Sequence, residues 1–173
     1  MTNTDYLTER LRPGTERFTE AQLAASEARL GQVYPPSFRA LLLEHGRFGL
    51  HRADDHENMV FEVWPLEEHQ TALSRAAGEL ECEATAESVG EELGLDPEMV
   101  AVLEQIVLVG CEHDEDFVGF DLRTRHPDTQ EAPFVLQLMD DTEIEYLSEH
   151  PEPLELGTTG FDGYLKAHVR RNK

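Results

Sequence analysis

Positive charge is what this 173-residue chain has least of. Its lysines are Lys166 and Lys173 alone, and 14 Lys plus Arg face 36 Asp plus Glu, for a formal net charge of -22. Such a field repels phosphate, so direct binding to nucleic acid or to an anionic membrane is not expected. Cysteine is nearly absent too. Cys82 and Cys111 cannot build a disulfide framework and fit a reduced interior. No apolar run approaches the roughly 18 residues that cross a bilayer. The N-terminal MTNTDYLTERLRPG lacks the apolar core of a secretory signal, so the expected location is the cytoplasm. There is no G-x-S-x-G, Walker A or G-x-G-x-x-G, and neither cysteine sits in a nucleophile motif. These absences weigh against an enzyme, and no cofactor is expected.

What is present suffices for one domain. Hydrophobic residues make up 39% of the chain, and a chain of this length buries roughly two-thirds of its unfolded surface. The clearest local signals lie in Phe18 to Gly49, FTEAQLAASEARLGQVYPPSFRALLLEHGRFG. Thr19 and Gln22 have capping-box spacing, and Phe18 and Leu23 can close a hydrophobic staple around the helix start. Gly31 is placed as a left-handed stop. Pro35 and Pro36 prevent continuation, and Pro36 suits the first turn of a second helix. That helix carries Phe38, Leu41 and Leu42 on one side and stops at Gly46.

This pattern resembles the N-terminal signature of the SUKH superfamily. There, a Glu-bearing amphipathic helix precedes Leu-Pro, an aromatic, an apolar pair and an Asn-Gly or His-Gly stop. The matching residues are Glu27, Leu30, Gly31, Tyr34, Pro35, Phe38, Leu41, Leu42, His45 and Gly46. Tyr34 departs from the usual Leu, and His45 from the commoner Asn. The resemblance continues through VFEVWPL (Val60 to Leu66), IVLVG (Ile106 to Gly110), DFVGFDL (Asp116 to Leu122) and a closing FDGYLKAHV from Phe161. It implies a single α+β domain, a mixed or largely antiparallel sheet with helices around it, over residues 18–173 after an N-terminal extension at 1–17.

Between these landmarks, a short helix can form around Asp5 to Leu11, and Pro13-Gly14 marks a turn. His51 to Asn58, HRADDHEN, reads as a loop, and MVFEVW as a strand with Phe61 and Val63 opposite Trp64. Trp64 is expected to pack on the sheet, although an exposed aromatic there would suit a binding hot spot. Pro65 is expected to open a helix through Leu80, with acids in its first turn. A second helix should stop at Gly94, and Asp96-Pro97 should restart one to about Glu104. Ile106 to Val109 is continuously apolar and should be buried on both faces. Phe117 to Leu122 and Pro133 to Met139 are further strands. Thr142 to Tyr146 suits a short edge strand or a helical turn, and Thr158 to Arg170 a closing helix.

Two acidic loops carry the functional expectation. CEHDED (Cys111 to Asp116) and HRADDHEN collect ligand-type residues without a zinc framework or an EF-hand glycine and terminal Glu, so both read as acidic turns rather than metal sites. The family resemblance implies an immunity protein that binds and neutralises a toxin, and many such toxins are nucleases with basic substrate grooves. An acidic surface suits that partner. The expected toxin-binding residues, chosen from local acid density, are Asp54, Asp55, Glu57, Glu112, Asp114, Glu115 and Asp116. Asp140, Asp141, Glu143 and Glu145 are a second candidate patch. Alternatives are a regulatory interaction scaffold, as some eukaryotic relatives are, or a small metal-dependent hydrolase in which the two His-bearing loops meet.

Overall fold

A computed structural model describes residues 11–13, 17–51, 59–112, 116–138 and 161. In chain order these form β1 (Leu11–Pro13), α1 (Glu20–Leu30), α2 (Pro36–His45), β2 (Phe48–His51), β3 (Met59–Val63), β4 (Gln70–Thr71), α3 (Ala72–Glu79), α4 (Ala86–Leu93), and α5 (Pro97–Val100) running into a 3-10 turn (Ala101–Gln105). The strands β5 (Ile106–Glu112), β6 (Asp116–Asp121) and β7 (Phe134–Leu138) follow.

The strands make one sheet in the order β1-β2-β3-β5-β6-β7, and every pairing is antiparallel. The third and fourth strands share one edge of β5. Val63 pairs opposite Gly110, the chain leaves the sheet, and Gln70 rejoins it opposite Leu108. Leu11–Pro13, within the segment read as an extension, pairs with β2 at the edge, where proline's missing N–H is tolerated.

Helices cover both faces because β5 is apolar at every position of its first half. Val107 and Val109 join α1, α2, Phe61, Phe120 and Phe134 in one buried cluster. Ile106 and Leu108, the alternate pair, join α3, α4 and Leu103 in another. A strand's side chains alternate between faces, so a run of four buried residues needs a layer on each side. Phe38 is the hub of the first cluster, with ring centroids 5.0 Å from Phe120 and 5.3 Å from Phe161. Phe161 is the described residue of the expected closing helix, and it is fully buried. The neighbouring strands approach so closely that a Cβ at Gly119 would overlap the Val107 carbonyl, and one at Gly110 that of Glu62.

The capping signals act as their spacing implies. The Thr19 side chain accepts from the Gln22 N–H, and the Gln22 side chain accepts from the Thr19 N–H at 2.8 Å. Gly31 is left-handed at φ 65, and Gly46 donates its N–H to the Leu42 carbonyl. Gly94 stops α4, and Asp96 caps α5. One expectation fails. The helix expected from Pro65 starts at Ala72, capped by the Thr71 hydroxyl. Residues 65–69 instead form a tight turn, with the Glu68 and His69 N–H groups donating to the Pro65 and Leu66 carbonyls. The tertiary partners of Leu66 and His69 decide this against local propensity. The short helix at Asp5 to Leu11, the segment Thr142 to Tyr146 and most of Thr158 to Arg170 lie outside the described residues, except that Leu11 is in β1.

Candidate partner-binding surface

The described strand ends that flank the acidic segments lie at one end of the sheet. Glu112 stands opposite Asp116 where β5 and β6 close their hairpin. On the other side of β5, Phe61 stands opposite Glu112, so the strand end from which 52–58 departs is its neighbour. Leu138, where β7 ends before Asp140 and Asp141, stands opposite Phe117 at the start of β6. Three acid-rich connections therefore leave one end of the sheet. Of the expected binding residues, Glu112 and Asp116 are brought together as a cross-strand pair. Asp54, Asp55, Glu57, Asp114 and Glu115 lie outside the described residues, as do Asp140, Asp141, Glu143 and Glu145.

A second feature was not visible in the sequence. The turn at 65–69 lies beside the C-terminal end of α1, the start of α3 and the 3-10 turn, and together they enclose a groove of about 690 Å³. Trp64, Glu67, Glu68, Glu104, Arg29 and Phe117 line it. Trp64 is half-buried, its ring set edge-on to Phe117 at 5.4 Å between centroids. The buried Arg75 guanidinium lies 3.6 Å over the Phe117 ring and donates from Nε to Glu79 at 3.0 Å. Glu67, Glu68 and Glu104 are exposed. Arg29 is held in the wall by the Leu66 carbonyl, which accepts from Nη2 at 2.6 Å.

Beneath the groove runs a buried polar chain. His69 is fully buried, its Nε2 is 3.1 Å from the Trp64 carbonyl, and its Nδ1 is 2.7 Å from the Tyr34 hydroxyl. A carbonyl only accepts, so Nε2 carries the proton and Nδ1 accepts from Tyr34. Tyr34 in turn accepts from Ser26 at 2.8 Å. Burial pushes the imidazole down to about 4 and the phenol up to about 12. With both ring nitrogens engaged, His69 ties the turn to the helical pair and is not positioned to take a proton from a substrate. The same chain explains Tyr34 at a position usually occupied by Leu: its ring packs in the core and its hydroxyl is satisfied on both sides. Glu27 completes the junction. It accepts from the Tyr34 N–H at 3.1 Å and from Arg39 Nε at 3.3 Å.

Sequence reasoning missed the groove because its residues come from five separate segments. The one usable signal was Trp64-Pro65 followed by two acids, an aromatic beside carboxylates. Among the described residues no three His, Cys, Asp or Glu side chains gather as metal ligands, and no helix is long and apolar enough to cross a membrane.

No curated protein and no solved structure gives a significant match to this chain. The family model of the SMI1 / KNR4 family (SUKH-1) matches residues 17–152, from the start of the capping box through the last described strand and beyond. That family is broadly associated with non-catalytic immunity and regulatory proteins. With the signature helices, the antiparallel sheet and most of its length matched, the chain belongs to the SMI1 / KNR4 (SUKH-1) family.

Proposed function

We propose that this protein is an immunity protein that binds a cognate toxin and neutralises it by covering a basic substrate groove with its acidic end. The observation that carries the reading is the family match over residues 17–152. Charge supports the choice of partner. From Ala76 to Leu122 the chain has no Lys or Arg, so beyond Arg75 the acids of the second helical layer and of the central hairpin have no cation within their own stretch of sequence. The neighbouring strand ends that carry 52–58, 113–115 and 139–145 support one continuous interface, with Asp54, Asp55, Glu57, Glu112, Asp114, Glu115 and Asp116 as its binding residues. A nuclease holds phosphate with Lys and Arg, and a carboxylate surface competes for those groups. Like-signed carboxylates also steer encounter, which suits an inhibitor that must reach its target before damage occurs. In this reading the protein acts in the cytoplasm and performs no chemistry.

The test is binding to the cognate toxin domain, sought by pull-down among the products of neighbouring genes and measured at low and at physiological salt. Association should slow steeply with salt. Replacing Asp54, Asp55, Glu57, Glu112, Asp114, Glu115 and Asp116 with amides should slow association and flatten that dependence. Unchanged binding and salt response in that variant would place the interface elsewhere.

A further inference from the structure

Three features of the groove beside Trp64 favour a cationic guest. Its aromatic wall is the half-buried Trp64, whose ring meets that of Phe117 at 5.4 Å between centroids and 68° between planes. The same aromatic pair already carries one guanidinium, Arg75 stacked on Phe117, and the quadrupole of an indole attracts a cation at its face more strongly than that of any other side chain. Its rim holds three exposed carboxylates, Glu67, Glu68 and Glu104, against the single guanidinium of Arg29. Arg29 is turned to the Leu66 carbonyl, which fixes it in the wall. Finally, the C-terminal end of the 11-residue α1 opens onto the groove at Leu30 and Gly31, and the negative end of a helix dipole favours positive charge.

We propose that this groove docks an arginine-bearing segment of the partner protein, with the guanidinium stacked on Trp64 and forked toward the carboxylates of Glu67, Glu68 and Glu104. This rests on the partner-binding reading and adds to it a second contact, made by Glu67, Glu68 and Glu104 and not by the acidic end of the sheet, which begins at Asp116 next to the groove's Phe117 wall. The groove's β4 residues pair with β5 at Val107 and Leu108, whereas the acidic hairpin closes at Glu112 and Asp116. Charge complementarity selects the guest. An anionic segment would meet three carboxylates, and an apolar one would strip them of water without replacement. A planar guanidinium satisfies stacking and carboxylate pairing together, which a lysine ammonium does less well. A cleft of about 690 Å³ is within the range that encloses a side chain and its flanking backbone.

Trp64 is the chain's one tryptophan, so its fluorescence reports on the groove alone. The probe is a blocked Gly/Ser peptide containing two arginines, with a citrulline peptide of the same sequence as the uncharged isostere. The expected result is a saturable change in Trp64 emission with the arginine peptide, a weaker response with a lysine peptide, and none with citrulline. The triple variant E67Q/E68Q/E104Q alters exposed side chains and keeps the fluorophore. It should melt as the parent does and bind the arginine peptide about tenfold more weakly, the loss of three partly screened charge contacts. Equal binding of the citrulline peptide, or undiminished affinity in the triple variant, overturns the assignment. Binding to the cognate toxin separates the two ideas. If amide substitution at the acidic loops abolishes its binding while the triple variant binds fully, the groove inference fails and the immunity reading stands. If the parent protein binds no toxin at all, the immunity reading fails, and the peptide titration still decides the chemistry of the groove.

Discussion

Acidification should destabilise this protein through His69 before most of its carboxylates protonate. The imidazole is fully buried, and burial is the main cause of its fall from 6.5 to about 4, with the nearby Arg29 charge adding to it and the bond to the Trp64 carbonyl opposing it. Hydrogen bonding alone would survive protonation. The charged ring could donate from Nδ1 to Tyr34, Tyr34 to Ser26, and Ser26 to the Leu66 carbonyl, 3.4 Å from its hydroxyl. What cannot be recovered is the hydration of the cation. Because the folded value lies below the unfolded one, the unfolded chain takes up the proton first. Stability is complete above about pH 6.5, falls between pH 6.5 and 4, and levels off below. The loss is about 2 to 3 kcal/mol at about pH 4.5, approaching a ceiling of about 3. Urea unfolding of the parent and of His69→Gln at about pH 7.5 and 4.5 checks it. The variant starts less stable because it disturbs the chain from Tyr34 to Trp64, but it lacks the titration. The gap between the two proteins should therefore shrink by about 2 to 3 kcal/mol on acidification, while the relief of carboxylate repulsion cancels in the comparison. A constant gap, or an NMR titration of the His69 ring near its ordinary value, would refute the burial argument.

Other perturbations follow from the packing. Gly119→Ala should destabilise by about 1 to 3 kcal/mol in thermal melts, because the new methyl meets the backbone of β5 and not a movable side chain. Phe38→Ala should cost about 3 to 5 kcal/mol by removing the hub of the aromatic cluster, measured by denaturant unfolding. Thr19→Ala should cost about 1 kcal/mol as the hydroxyl that accepts from the Gln22 N–H is lost while the Thr19 N–H still donates to the Gln22 side chain, with the helical content of the folded state nearly unchanged by circular dichroism. Glu27→Gln should cost about 1 to 2 kcal/mol by weakening the charged bonds to Arg39 and the Tyr34 N–H, a change that unfolding curves would resolve.

The helical pair was legible because its boundaries depend on neighbours three or four residues apart. Thr19 and Gln22, Gly31, Pro36 and Gly46 each act on the backbone next to them, and no distant partner opposes them. The two-sided burial of Ile106 to Val109 was legible for a similar reason, since an uninterrupted apolar strand has no face to give to water. The stretch after Trp64 was misread because the same residues suit a helix locally. Leu66 and His69 are held by Arg29, Ser26 and Tyr34, which lie some 35 to 40 positions earlier.

Local chemistry along the chain thus set the helix ends, the main strands and a surface charge that suits a basic partner. Only the folded arrangement decided that His69 is buried and neutral, that Trp64 borders a groove rimmed by carboxylates, and that three acidic connections leave one end of the sheet. Those outcomes come from strand order and register, which join residues remote in sequence through contacts that no short window of sequence contains.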